Sequence, residues 1–65
     1  MIKFAKVRGR MAERGMTMTH LSELSGIPVS TLSNKLSGQT EFKTSEIVAV
    51  AKALEIPSIE KYFFG

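Results

Sequence analysis

Ser30, Ser33, Asn34 and Ser37 fall at helical spacing along one short segment. At about 100° per residue they form a stripe of small hydroxyls and one carboxamide, set apart from the stripe that holds Leu32 and Leu36. Such short donors and acceptors suit close approach to the edges of bases, and an Asn can make two hydrogen bonds to adenine, accepting from N6 and donating to N7. A merely solvated helix face would more often carry Glu and Lys, which favour helices, than Ser and Asn, which do not. Periodicity alone leaves both readings of the stripe open.

Catalytic and metal chemistry is poorly represented. Aspartate and cysteine are absent, all six acids are glutamates, and His20 is the single histidine. No triad with an Asp-oriented histidine, no multi-histidine site and no thiolate site can then be built within one chain. Glu41 and Glu46 are the right type for acid–base work, but 65 residues leave no room for a deep cleft, so they read as solvated surface and helix-dipole partners. Gly9 and Gly15 stand six apart without the Lys-Ser/Thr of a phosphate-cradling loop. The expectation is a protein that is not an enzyme and uses no metal and no cofactor.

The elements that must position the polar stripe follow from apolar spacing. Phe4, Val7 and Met11 mark a first helix over about residues 2–14, ended by Gly15. Gly9 inside it costs roughly 1 kcal/mol relative to Ala and has no evident reason in the sequence. Thr17 is a good N-cap for a second helix to about Ser25, with Leu21 and Leu24 inward; Gly26-Ile27-Pro28 makes a very short turn. A third helix then carries Leu32 and Leu36 and stops at Gly38. After a loop anchored by Phe42, Thr44 or Ser45 caps a fourth helix with Glu46 in its first turn and Ile47, Val50, Ala51 and Leu54 on one face. Ile56-Pro57-Ser58 interrupts that face, and Ile59 to Phe63 can form a short fifth helix with Phe63 in the core. Met16 reads as core filling and Met18 is ambiguous. Nothing reads as a strand, so the expected architecture is all-α, one domain over residues 1–65.

Charge is uneven. Residues 1–15 hold Lys3, Lys6, Arg8, Arg10 and Arg14 against Glu13 alone, a net of +4, while the rest of the chain nets −1, so the basic surplus behind the overall +3 belongs to the first helix. A polyanion is a reasonable partner for it, although a solvated amphipathic face has the same composition. No long apolar run follows the N-terminal lysines, which argues against a signal peptide or a membrane span and for a cytoplasmic protein. Two short helices joined by a tight Gly-containing turn, over residues 17–38, describe a DNA-binding helix-turn-helix, and an ordinary αα corner shares that periodicity.

Arg10-Met11-Ala12-Glu13-Arg14-Gly15-Met16-Thr17, Leu21-Ser22-Glu23-Leu24-Ser25-Gly26-Ile27 and Ser30-Thr31-Leu32-Ser33-Asn34-Lys35-Leu36-Ser37-Gly38 closely resemble the Cro/CI-type (XRE-like) helix-turn-helix family. Thr40-Glu41-Phe42, Glu46-Ile47 and Ile59-Glu60-Lys61-Tyr62-Phe63-Phe64 extend the likeness, toward small Cro-like regulators of phages that infect Gram-positive bacteria. The resemblance implies a compact five-helix lambda-repressor-like DNA-binding domain whose third helix enters the major groove, with dimers on palindromic operators. Two positions depart from the family. Met18 stands where many members have a phosphate-holding Gln, and Met11 and Leu36 stand where many pair an Arg with a Glu.

With the third helix in the groove, Val29, Ser30, Ser33 and Asn34 are expected on base edges. The expected phosphate contacts are Arg8, Arg10, Thr17, Met18, Thr19, Thr31, Lys35, Ser37, Gln39, Thr40 and Lys43. Ile56, Pro57, Tyr62 and Phe64 are expected at a dimer seam. The expected partners are double-stranded operator DNA and a second copy, with no membrane and no small-molecule ligand. The rival from another class is a helix-turn-helix-like interaction module that acts on a protein, of antirepressor or antitoxin type.

Overall fold

A computed structural model describes residues 4–64 as five helices in chain order: α1 (Ala5–Glu13), α2 (Met18–Ser25), α3 (Val29–Ser37), α4 (Thr44–Leu54) and α5 (Glu60–Phe64), the last a single wide π-helical turn. The expected extension of the first helix to Ile2 and Lys3 lies outside the described residues. Val7, Leu21, Leu32, Leu36, Val50 and Leu54 are fully buried, and Met11, Ile27, Ala51 and Phe63 complete one core to which every helix contributes. Among the described residues no helix is long and apolar enough to cross a membrane.

Three phenylalanines from distant parts of the chain hold the periphery together. Phe4, before α1, meets Phe42 of the α3–α4 loop nearly edge to face at 5.2 Å between ring centroids. Phe63 of α5 lies 5.5 Å from Phe42 and 5.9 Å from Phe4. Phe4 takes a left-handed backbone (φ 56°) to reach this place. That conformation costs a non-glycine residue about 1–2 kcal/mol. Edge-to-face aromatic pairs contribute about 0.5–1.5 kcal/mol each beyond their burial, so the cluster offsets the strain.

Three local expectations are corrected. Leu24 is 54% exposed rather than inward: α2 is only eight residues long, Leu21 takes its buried position, and Leu24 faces outward beside Val48 and Lys52. The N-cap of α4 is Lys43, not Thr44 or Ser45, because the Glu46 carboxylate reaches back to accept the Lys43 N–H at 2.8 Å and starts the helix one residue early. The fifth helix begins at Glu60, after Ser58 caps the turn by accepting the Lys61 N–H at 3.2 Å.

Candidate nucleic-acid interface

Thr17 has an extended backbone, and its hydroxyl oxygen accepts the His20 N–H at 3.2 Å, which starts α2. The Thr17 carbonyl takes the Leu21 N–H, so the N–H groups of Met18 and Thr19 have no hydrogen-bond partner among the described residues. A helix start with free N–H groups is a ready site for a phosphate oxygen, and it needs no Gln at position 18. Thr17, Thr19 and His20 are exposed there, while the Met18 side chain packs partly against the core.

The turn into α3 is fixed from both sides. Gly26 ends α2 at φ 77°, a conformation that a side chain would strain, and the Ser22 hydroxyl donates to the Ile27 carbonyl. Ser22 therefore does more than leave space: it clasps the turn. Ile27 is buried, and Pro28 caps α3 at φ −56° with its carbonyl accepting the Leu32 N–H at 2.8 Å.

On α3 itself Leu32, Lys35 and Leu36 face inward, while Val29, Ser30, Ser33, Asn34 and Ser37 are exposed. No hydrogen bond among the described residues engages the side chains of Ser30, Ser33 or Asn34. The Ser37 hydroxyl is turned back on its own helix and donates to the Asn34 carbonyl at 3.0 Å, beside the Gln39 N–H at 2.9 Å. Thr31 is half-buried against a hollow shared with Ser45, Glu46 and Ala49.

The loop from Gly38 to Lys43 is pinned by Phe42 and by Lys35, and it leaves Gln39, Thr40 and Lys43 exposed next to the end of α3. Lys35 corrects the sequence reading. Its ammonium is buried, donates to the Glu41 carbonyl at 2.9 Å and pairs with the Glu46 carboxylate at 2.8 Å, so its charge is engaged within the fold rather than offered at the surface. Arg10 is likewise committed: Nε donates to the Leu54 carbonyl at 3.0 Å and Nη2 to the Glu55 carbonyl at 2.9 Å, at the C-terminal end of α4. Arg14 pairs with the Glu55 carboxylate. Of the basic groups on α1 within the described residues, Lys6 and Arg8 remain exposed without an ion pair.

Glu46 thus gathers the Lys35 ammonium and the Lys43 N–H. The hydrogen bond from Lys35, followed by that from Lys43, holds its carboxyl below the ordinary glutamate value of 4.5. A depressed carboxyl stabilises the fold above its unfolded-state value, and this contribution is lost as pH falls through the lower folded value. Unfolding measured by urea at stepwise lower pH is expected to show stability dropping below about pH 4.5. Glu46→Gln should make that drop shallower, and equal slopes for the two proteins would remove Glu46 as its cause.

Of the expected seam residues, Phe64 is 71% exposed and Pro57 is exposed, whereas Ile56 and Tyr62 are half-buried against the core. His20 lies on the surface at the start of α2. The features that sequence reasoning missed are the Lys35–Glu46 pair and the double arginine grip on the end of α4.

A helical pair fixed at a tight turn, with a polar helix face and the open start of α2 beside it, is the arrangement by which a helix enters a DNA groove. Comparison with known proteins agrees. Neither the curated proteins nor the solved structures gave a match. A family model described as a Cro/C1-type HTH DNA-binding domain matches residues 6–59, most of the chain and the whole of α1 to α4 apart from Ala5. The chain belongs to the Cro/C1-type helix-turn-helix DNA-binding family.

Proposed function

We propose that this protein is a sequence-specific transcriptional repressor of the phage Cro-like kind, acting in the cytoplasm of a bacterial cell as a homodimer on a palindromic operator. The observation that carries this reading is the exposed stripe Val29, Ser30, Ser33 and Asn34, whose serine and asparagine side chains make no hydrogen bond within the described residues. Those groups have their hydrogen-bonding capacity available for base edges. Around the stripe, the phosphate grip falls to the first N–H groups of α2 with Thr17 and Thr19, and to Gln39, Thr40 and Lys43 after α3. Arg8 adds non-specific attraction; the Ser37 hydroxyl and the charged groups of Lys35 and Arg10 are engaged within the fold and Thr31 is half-buried, so these four play no leading part.

A second reading has one observation in its favour. Leu24 and Val48, both exposed, line an open groove between α2 and α4 with Ala49 and Ala53, a surface that an interaction module acting on another protein could use.

Selection of bound sites from random duplex DNA separates the two. A repressor is expected to yield palindromic sites with half-sites about 10 bp apart, one helical turn. Affinity for the selected site should fall steeply with salt, by about 0.9 in log–log slope per neutralised phosphate. Enrichment of no sequence, or binding indifferent to salt, would favour the protein-interaction reading.

A further inference from the structure

Gly9 sits in the middle of α1 and is exposed, its backbone is not in the left-handed region, and a Cβ built on it meets nothing within 4 Å. Neither packing inside the chain nor backbone conformation calls for glycine there, and almost any other residue would strengthen the helix. What glycine leaves is an open groove of about 470 Å³, lined by Lys6, Gly9, Arg10, Glu13, Lys61 and Tyr62. Arg10 is held by the end of α4, so the cations free at the groove rim are Lys6 and Lys61. On the same face lies Phe64, at 71% the most exposed of the large apolar side chains, over a hollow shared with Ser58, Glu60 and Lys61. Lys61 borders both features, so the protruding ring and the groove are neighbours.

We propose that Phe64 seats in the Gly9 groove of a second copy of this chain, and reciprocally, about a two-fold axis. The proposal rests on the homodimer reading above and gives that dimer its contacts. A two-fold interface must be self-complementary, and this face is so in shape and in charge. It carries one protruding aromatic ring and one groove kept clear by the absence of a side chain. Glu60 flanks the ring and Lys6 flanks the groove, with Lys61 between the two and Glu13 of the groove paired with Arg10, so each Glu60 approaches the partner's Lys6. A hydrophobic ring as exposed as Phe64 is a liability on a free surface and an anchor at an interface. Gly9 and Phe64 then explain each other.

The test is sedimentation equilibrium of the full chain, without DNA, at several concentrations. Phe64→Ala and Gly9→Gln are each expected to weaken self-association at least about tenfold. Both should stay folded, since Phe64 is exposed and a side chain at position 9 enters open space. Measured on dilute monomer, Gly9→Gln should raise Tm by about 2–5 °C from helix propensity. A one-to-one mixture of the two variants is the decisive arm. Each lacks one half of the contact, yet a mixed pair retains one ring and one groove that match, so the mixture should associate more tightly than either variant alone. Self-association of either variant equal to wild type, a mixture as weak as its components, or a wild-type chain that stays monomeric throughout would overturn the proposal. Binding to a duplex with a single half-site needs no seam, so its loss or retention reports on the DNA-binding reading separately.

Discussion

Arg10→Met is expected to lower stability by about 2–3 kcal/mol while leaving the salt dependence of DNA binding unchanged. Arg10 donates two charge-assisted hydrogen bonds to the carbonyls of Leu54 and Glu55, a pair of acceptors that α4 leaves open at its end. Hydrogen bonds to charged groups contribute about 1.5–3 kcal/mol each, and a cation at a helix C-terminus adds to that through the dipole; partial access to water brings the total toward the lower end. The end of α4 also has a particular need of support. Glu55 closes it in a left-handed conformation (φ 52°), where glycine is the usual occupant, so the turn stands on its partners: Arg10 on the carbonyl and Arg14 on the carboxylate. For a domain of this size, a loss of 2–3 kcal/mol corresponds to a fall in Tm of roughly 10–20 °C. Arg8→Met is the control, since Arg8 is exposed and unpaired, and it should change stability by no more than about 0.5 kcal/mol. If Arg8→Met does match that and instead reduces the salt slope of DNA binding by about one unit, the two arginines have divided roles: one for the fold, one for the nucleic acid. Urea unfolding of both variants, with binding titrations at three salt concentrations, measures this. Equal stability for Arg10→Met and wild type would mean that the grip on α4 contributes nothing.

The two arginines also show where the sequence was legible and where it was not. Apolar spacing located all five helices, and the turn at Gly26 and Pro28 announced the angle between α2 and α3, because these signals are local. Phe42 as a loop anchor and Phe63 as a core residue were legible for the same reason: a large aromatic in a tiny chain has few other places to go. The sequence places Lys35 and Arg10 among DNA contacts because they are cationic and lie on helices near the motif. Their positions held a contrary signal. Lys35 is three residues after Leu32 and one before Leu36, and Arg10 is three after Val7 and one before Met11, so each falls within its helix's inward stripe. A long cationic side chain in that place passes along the core and delivers its charge to whatever acceptor lies at the far edge. What the sequence withheld is the identity of that acceptor. The Glu46 carboxylate and the carbonyls at the end of α4 are brought near by the packing of α3 and α1 on α4, a tertiary arrangement that no local pattern encodes. Leu24 errs in the opposite direction: it has helical spacing with Leu21, but the second helix is short, and one leucine fills its share of the core.

Asn34→Ala is expected to abolish discrimination at one base-pair position in each half-site, by about 1–3 kcal/mol or up to about a hundredfold, without disturbing the fold. The argument begins with what holds α3. Leu32 and Leu36 are fully buried and Lys35 is tied to Glu46 and the Glu41 carbonyl, so the helix cannot rotate without breaking its core contacts and an ion pair. The opposite face is therefore presented in one orientation, with Val29 and Ser30 in the first turn and Asn34 one turn later. The carboxamide of Asn34 makes no hydrogen bond within the described residues, whereas its backbone carbonyl is occupied by the Ser37 hydroxyl and the Gln39 N–H, which fix the end of the helix without constraining the side chain. An amide held on a rigid helix can pair with adenine in two hydrogen bonds, and no other base offers the same donor and acceptor pair in the major groove. Val29, 41% exposed at the start of the helix, is placed for an apolar contact such as a thymine methyl, so Val29→Ala should weaken preference at a different position and by less. Removing the Asn34 amide exposes no core and leaves every phosphate contact in place, so Tm and non-specific affinity should stay near wild type. The measurement is affinity for operators altered one base pair at a time, with wild type and Asn34→Ala compared at the same salt concentration. A preference profile flattened at one symmetric pair of positions is the expected result. Identical profiles would show that Asn34 reads no base and that a different face of α3 lies in the groove.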